Sequence, residues 1–349
     1  MKNGIAVGGN IFVDILKQID FYPGEGMLSQ IRSEDRSVGG CVSNTGISLK
    51  RLDPLLEVKA VSCIGDDDAG KYVLDIYENN GLDASNILTI DTAVTGHTDV
   101  FASKAGTRTF FVNQGTNALF DINHIDFDSL DTKILHMGYI LLMERMDSPD
   151  SEYGTVMARV LCEAQKRGIK TSVDIVSEDG SRFRSIVPAS LKYCNYVIIN
   201  EIEAGRTVEI CPRRTDGTLI FETLPLICER LMDMGVSDCV IIHCPETGFL
   251  MDSKRNWIGL RSLNLPEGYI KGSVGAGDAF CAGALLGLYS GMSHEEILRL
   301  ANSAAAGCLS SRGGTEGVGT IEKMLALHSR FAAANEVWRK NKTRMAPVP

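Results

Sequence analysis

The sequence predicts an α/β fold: a three-layer parallel sheet flanked by helices, with a small β-sheet lid. Strand-like runs at 133–142, 170–176, 196–200 and 239–243 alternate with helical stretches at about 152–167, 183–191, 201–208 and 218–235, the rhythm of repeated βαβ units. Several of those strands, such as Tyr196-Val197-Ile198-Ile199, are apolar throughout, as a strand must be when helices cover both faces of its sheet. The runs 95–103 and 107–113 instead flank Lys104-Ala105-Gly106 in the manner of a hairpin. With the turn-rich segment 12–38 they make the lid.

Ile5-Ala6-Val7 opens the chain as a short buried strand ended by Gly8-Gly9-Asn10. Asp14 follows in Ile11-Phe12-Val13-Asp14. It reads either as a solvated acid on an edge strand or as a carboxylate accepting hydrogen bonds from a polyol. Tyr22-Pro23-Gly24 punctuates the stretch 15–38. Gly39-Gly40-Cys41-Val42-Ser43-Asn44 then leads into a helical pattern through Leu49 and Leu52. Paired glycines admit close approach of the backbone to a ligand, and Asn44 is either a local hydrogen-bonder or a ligand contact. Val58 to Ile64 reads as a strand, and Gly65-Asp66-Asp67-Asp68-Ala69-Gly70 turns it into a helix to about Asn79 that Gly81 ends. Three aspartates invite a metal, but acids at a helix start complement its dipole, and that is the better reading.

The alternating βα region follows. At the end of one of its buried strands, Asn200 and Glu203 face the same way on a first helical turn. They either cap the helix or hold the water shell of Mg²⁺, which keeps several waters and needs only one or two protein groups. The stretch 249–265 reads as two further strands feeding Gly272-Ser273-Val274-Gly275-Ala276-Gly277-Asp278-Ala279-Phe280. Phe280, Ala284 and Leu288 then recur at fourfold spacing as far as Gly291. A Gly-Ala-Gly loop at a helix start is either a turn or an anion site, because its N–H groups point along the positive end of the dipole. A dinucleotide fingerprint fails, since its third glycine would fall on Phe280. Asp278 beside an anion suggests phosphoryl transfer: the backbone steadies the moving charge and the carboxylate takes a proton. Ser293-His294-Glu295-Glu296 is a capping box for a helix carrying Ile297, Leu300, Ala304 and Cys308. A Gly-rich turn, Ser311 to Gly319, and a last helix to about Trp338 complete a single domain over 1–338. The basic, Pro-containing tail 339–349 reads as mobile.

Composition agrees with a globular chain that buries a full core. The 349 residues are 44% hydrophobic and 23% charged, with net charge −9, which excludes a nucleic-acid footprint. A polyphosphate site must therefore be made electropositive locally, by backbone dipoles and a bound cation. Ten cysteines form no C-x-x-C pair and read as small buried thiols of a reducing compartment. The start of the chain has no signal-peptide shape, and no apolar run reaches membrane-spanning length. The expected location is the cytoplasm, with no membrane partner.

Taken together, the motifs resemble the ribokinase-like (pfkB) family of carbohydrate kinases. Gly39-Gly40-x-x-x-Asn44 looks like the family's first signature and Gly275-Ala276-Gly277-Asp278-x-Phe280 like its second. Asp14, Gly65-x-Asp67-x-x-Gly70 and Asn200-x-x-Glu203 fall in the family's order, and the likeness spans about residues 4–330. The resemblance implies ATP with Mg²⁺ and a sugar-like acceptor. It makes Asp278 the base, with the N–H groups of Gly275, Ala276 and Gly277 as the anion hole. Asp14, Gly39, Gly40 and Asn44 would hold sugar hydroxyls. Asn200 and Glu203 would organise Mg²⁺ and the phosphates, Glu203 through water, and Asn302 would lie against the nucleotide. The lid would also be a homodimer surface. Relatives usually have Asp-Thr where Gly272-Ser273 stands, which leaves K⁺ activation open. The stretch 243–248 keeps only Gly248 of a frequent G-x-x-G nucleotide loop, and the Asp-x-Asn of many relatives is incomplete at Asp174-Ile175-Val176. The implied activity is phosphorylation of a sugar on a primary hydroxyl. The alternatives are a nucleoside kinase of the same fold and a sugar- or nucleotide-binding regulatory protein that has lost catalysis.

Overall fold

The computed structural model of the protein describes residues 2–104, 107–178, 180–332 and 337–339. Lid and sheet are interleaved along the first third of the chain. β1 (Ile5–Gly9) is followed by β2 (Phe12–Ile19), β3 (Ile31–Gly39), α1 (Gly40–Leu52), β4 (Val58–Gly65), α2 (Asp68–Asn79), β5 (Asp83–Ile90), β6 (His97–Ser103) and β7 (Arg108–Asn113). After β8 (Ile134–Ile140) and a minor hairpin of β9 (Pro149–Asp150) and β10 (Gly154–Thr155), strand and helix alternate. They run as α3 (Val156–Lys166), β11 (Lys170–Ile175), α4 (Phe183–Leu191), β12 (Tyr196–Asn200), α5 (Glu201–Val208), α6 (Thr223–Asp233) and β13 (Cys239–His243). The last described elements are β14 (Thr247–Asp252), β15 (Trp257–Arg261), α7 (Ala276–Tyr289), α8 (His294–Leu309), α9 (Ile321–Phe331) and β16 (Val337–Arg339).

The main sheet is ten-stranded in the order β16-β15-β14-β13-β12-β11-β8-β1-β4-β5. From β5 to β13 every neighbour is parallel, whereas β13–β14, β14–β15 and β15–β16 are antiparallel. The antiparallel end departs from the expected parallel sheet. The links after His243 and Asp252 are hairpin turns, too short for the crossover that parallel pairing requires. Alternation along the strands splits the core into two layers. Ile5, Val7, Ile198 and Ile241 pack on one face with α1, α7 and α8. Ala6, Val197, Ile199, Val240 and Ile242 pack on the other with residues of α3, α4 and α6. Helices on both faces of the sheet make the three layers.

Two expectations at the sheet edges need correction. The sequence reading ends the last helix near Trp338, but α9 stops at Phe331 and Val337–Arg339 is an edge strand on β15. Trp338 packs on Phe221 with ring centroids 4.8 Å apart, and burying an indole against the sheet outweighs one more helical turn. Arg339, assigned to the tail, instead forms an ion pair with Glu295, while the rest of that tail lies outside the described residues. At the other edge, β5 is a strand the sequence reading does not name. Its residues alternate only between half-buried and exposed, so it carries no apolar signal. Helix bounds also tighten, to 156–166 and 223–233.

The lid is a separate four-stranded sheet, β3-β2-β6-β7. Its hairpin closes with Ala102 opposite Arg108, and Ala105 and Gly106 of the expected turn lie outside the described residues. Asp67 anchors the lid. Its carboxylate caps α2 through Gly70 N (2.7 Å) and accepts from Thr95 N (2.8 Å) and Thr95 Oγ1 (2.7 Å), just before β6. The helix-start reading of the three aspartates therefore holds, and the Gly65-x-Asp67-x-x-Gly70 motif is a structural tie. Seven of the ten free cysteines are buried, Cys162 and Cys244 are half-buried, and Cys211 is exposed. Among the described residues no helix is long and apolar enough to cross a membrane.

Replacing Asp67 by Ala removes one helix cap and two contacts to the lid strand at once. The expected cost is about 1–2 kcal/mol of unfolding free energy, read from urea melts. An unchanged midpoint would show that the tie contributes nothing.

Candidate active site

The site is built where α7 begins. Gly275 is the N-cap in a left-handed conformation, φ 75°, which glycine adopts without steric cost. The turn aims the first N–H groups of α7 along the helix axis. Ala276 N–H reaches the Ser273 carbonyl at 3.3 Å. Those of Gly275 and Gly277 have no carbonyl partner among the described residues.

Asp278, in the first turn, is 7% exposed. Its carboxylate accepts from Tyr139 Oη (2.6 Å), Asn44 Nδ2 (3.0 Å) and Thr45 Oγ1 (3.3 Å). Burial pushes its pKa up to about 6, and the three donors hold it from rising further. The structure thus brings Asn44 and Asp278, more than two hundred residues apart in sequence, into one hydrogen bond. Thr45 and Tyr139 are partners that sequence reasoning missed. Thr45 adjoins a named residue, but nothing local marks Tyr139, which comes from the carboxyl end of β8.

The residues expected on the acceptor side lie between the lid and α1. Gly40 begins α1 with φ 84°, and Asn10 binds that helix start by accepting from Cys41 N at 3.2 Å. A Cβ on Gly39 would sit 2.6 Å from Asp14 Oδ2, so the glycine pair leaves room for the carboxylate. Asp14 lies on an inner strand of the lid rather than an edge. Burial raises its pKa, and the Thr98 hydroxyl opposes the rise. Asn10 Nδ2 is buried with no partner, a donor overlooked when Gly8-Gly9-Asn10 was read only as a strand end.

On the other side of the loop lies a cleft of about 730 Å³ lined by Asn200, His243, Ala276, Gly277, Phe280 and Asn302 among others. Asn302 Nδ2 donates to the carbonyls of Leu260 and Arg261, both at 3.2 Å. Gly248 is not in a loop. It lies inside β14 with Asn302 Oδ1 packed where its Cβ would be, so it supports the cleft from behind. Asn200 and Glu203 form a complete capping box on α5, and Ser177 Oγ also donates to Glu203 Oε1 at 2.7 Å. Burial raises Glu203 to about 7, although Ser177 and Asn200 oppose it. Asp174 is raised well above the ordinary carboxylate range, first by burial and then by the charges of Glu203 and Asp278. Three carboxylates therefore crowd the carboxyl ends of β11 and β12 and the start of α7. A divalent cation would relieve that repulsion. Glu203 and Asp174 offer one or two carboxylates here, a donor set that fits an ion keeping several waters, as Mg²⁺ does.

A Gly-rich helix start, a buried acid and a cleft at the carboxyl ends of parallel strands define a phosphotransferase-type site on an α/β sheet. The chain matches the model of the pfkB family carbohydrate kinases over residues 7–321 and belongs to that family, whose members are phosphotransferases with an alcohol group as acceptor. It is 24% identical over 275 residues to an uncharacterized sugar kinase of Archaeoglobus fulgidus, covering 78% of this chain and 98% of that one. It is likewise 24% identical over 314 residues to an Arabidopsis thaliana ribokinase, covering 88% and 76%. The structure of Arabidopsis thaliana ribokinase complexed with ribose and ATP superposes with a TM-score of 0.76 at 20% identity, covering 94% of this chain and 99% of that chain. The fold is thus ribokinase-like.

An acid whose pKa is raised on folding costs stability wherever it must ionise. The folded protein holds the Asp278 proton up to about pH 6, so the penalty grows from about pH 4 to pH 6 and then stays. Asp278→Asn is expected to stabilise the fold by roughly 1–3 kcal/mol at pH 8. The gain should vanish below about pH 4, as read from denaturant melts at both pH values. A variant less stable than the parent at pH 8 would contradict this account of the carboxylate.

Proposed function

We propose that the protein transfers the γ-phosphoryl group of ATP to a primary hydroxyl of a sugar, with Asp278 as the general base. The observation that carries this reading is the buried Asp278 carboxylate, bonded to Asn44 and set in the first turn of a helix that starts at a left-handed glycine, where an anion would be favoured. With its pKa near 6, the carboxylate is ionised at neutral pH yet basic enough to take a hydroxyl proton as the oxygen attacks in line. Gly275, Ala276 and Gly277 are the anion hole. Ala276 N–H must exchange the Ser273 carbonyl, held at 3.3 Å, for a phosphoryl oxygen. Asp14, Gly39, Gly40 and Asn44 orient the acceptor, and Asn200, Glu203 and Asn302, with Gly248 behind, set the nucleotide. Mg²⁺, when bound, neutralises phosphate charge; Glu203, with Asp174 beside it, would hold it through water. Such a site suits the cytoplasm, where Mg-ATP is abundant and all ten cysteines stay free.

K⁺ activation is not expected. A side chain on Gly272 would press on the backbone of Ser311 and Arg312, at 3.1 and 3.2 Å, so this position holds no carboxylate for a monovalent cation. A nucleoside acceptor is the second reading. Phe110 and Val112 stand on the same lid face as Asp14 and offer an apolar surface to a base. Asp278→Asn is expected to lose ADP production by a factor of 10³ or more while binding of ATP and acceptor persists, across sugars and nucleosides and irrespective of K⁺. The parent enzyme should lose kcat/KM below about pH 6. Unchanged turnover in the variant would remove Asp278 from the mechanism.

The lid also reads as a homodimer surface. Its edge strands β3 and β7 are exposed almost throughout, and Phe110, Phe111 and Val112 are each more than half exposed. Uncovered strand edges with apolar side chains favour pairing with another chain. Sedimentation should find a dimer that Phe110→Asp with Phe111→Asp converts to monomer. A monomer in the parent protein would exclude this role for the lid.

A further inference from the structure

We infer that Tyr139 is a positioning residue: its hydroxyl holds Oδ1 of Asp278, so that Oδ2 is the atom presented to the acceptor hydroxyl. The inference rests on the phosphoryl-transfer reading above and adds to it the atom that takes the proton and the residue that orients it. An ionised carboxylate has about four lone-pair directions, shared equally by its two oxygens. Oδ1 of Asp278 receives Tyr139 Oη at 2.6 Å and Thr45 Oγ1 at 3.3 Å, whereas Oδ2 receives only Asn44 Nδ2, at 3.0 Å. Among the described residues, both directions on Oδ1 are therefore taken and one on Oδ2 is open. The transfer balances on that atom. The acceptor hydroxyl passes its proton to Oδ2 as its oxygen bonds to the γ-phosphorus, and the bond from that phosphorus to the bridging oxygen breaks with its electron pair leaving on ADP.

The phenol can only donate here. Burial, with the charge of Asp278 beside it, pushes its pKa well above the ordinary range, so the hydroxyl stays protonated and points its proton at the carboxylate. The other titratable groups facing Asp278 are Cys41 from α1, Asp174 from β11, Cys281 on α7 itself and Cys308 from α8; burial pushes each of them up, and none is a cation. The chain on either side of Tyr139 is fixed. Before it, the Gly138 carbonyl accepts from Asn10 N at 3.3 Å, and a Cβ on Gly138 would lie 2.7 Å from Cys41 Sγ, so the end of β8 is pressed onto the start of α1. After it, Leu141 takes a left-handed conformation, φ 78°, which a branched side chain rarely adopts. The buried Asp147 carboxylate holds that turn by accepting from Leu141 N (3.1 Å) and Met143 N (3.3 Å), and Arg182 donates to the Leu141 carbonyl at 2.6 Å. A costly backbone conformation persists only where its surroundings enforce it. Here the enforced turn begins two residues after the phenol that grips Asp278, and it braces that grip.

Tyr139→Phe keeps the ring and removes only the hydroxyl. A bond to the ionised form favours that form, so its loss should raise the Asp278 pKa. The acid limb of kcat/KM, near pH 6 in the parent, is expected to move upward by about one pH unit. At pH 8 kcat should fall on the order of tenfold with KM for ATP unchanged. Asp147 titrates near the same pH, so the Asp278 carboxyl is also followed directly, by carbon-13 NMR of aspartate-labelled protein, its resonance assigned by its absence in Asp278→Asn. Thr45→Val, which removes the longer bond to the same oxygen, should move both readings less than Tyr139→Phe does. Thermal melts establish that the variants are folded. An unmoved carboxyl titration in Tyr139→Phe, or a shift to lower pH, overturns the proposal, because a ring that only packs is left intact by Phe. A titration that moves while kcat holds overturns it too, since the bond would then serve the fold and not the transfer. Should the parent protein phosphorylate no acceptor, the phosphoryl-transfer reading falls, while the carboxyl titration still decides whether Tyr139 holds Asp278.

Discussion

A carboxylate cannot be taken out of water unless the fold supplies what water did, and that requirement shapes the centre of this protein. Asp278 is almost fully buried, where an unpaired charge would cost several kcal/mol. Among the described residues no cationic side chain pairs with it. Its compensation is the start of α7 and three neutral donors, from Asn44, Thr45 and Tyr139. Those donors come from α1 and from the end of β8, so the carboxylate is placed only when both elements are packed against α7. The close seat of α7 on α8, where Gly283 brings the backbones together at Ala301, is part of the same requirement. Partial compensation is also what leaves the acid basic enough for the proton transfer proposed above. Full compensation by an Arg would have lowered its pKa.

The two sides of the loop solve opposite problems. Toward α1 and the lid, carboxylates and amides gather: Asp14, Asn10, Asn44 and Asp278. Such a surface matches hydroxyl groups, which both donate and accept. Toward β12 and β13, the cleft proposed for the nucleotide would have to take negative charge close to the acids Asp174 and Glu203, which burial already holds toward their protonated forms. Backbone dipoles, neutral donors and an ion brought in with the ligand answer that need. The raised pKa values of Asp174 and Glu203 record their burial first and, for Asp174, the neighbouring charges of Glu203 and Asp278.

Much of this was legible in the residues. Ser293 and Glu296 form the capping box that their spacing implies, and the strands at 196–200 and 239–243 are buried on both sides. Asp278, Gly275, Asn44 and Asp14 were each found from a local pattern. Of the two readings of Asn200 and Glu203, the structure shows the cap, and the buried Glu203 carboxylate also raises the pKa of Asp174. What stayed hidden lacked local signal. β5 is too exposed to alternate visibly, β16 is three residues long, and the antiparallel edge depends on how short turns fold back. Tyr139, Asp174 and His243 sit at the ends of apolar strands, where a single polar residue looks like the last residue of a strand and nothing more.

The amino-acid sequence by itself determined the class of fold, the helix that carries the acid and the small residues at the start of that helix. Each of these follows from periodicity, from caps and from where glycine is needed, all properties of neighbouring residues. Tertiary structure alone decided which side chains hold Asp278, how far its pKa rises and that Gly248 lies behind the cleft. Those outcomes depend on burial and on pairings between residues tens to hundreds of positions apart. Desolvation is a property of the packed molecule, and no local stretch of sequence contains it.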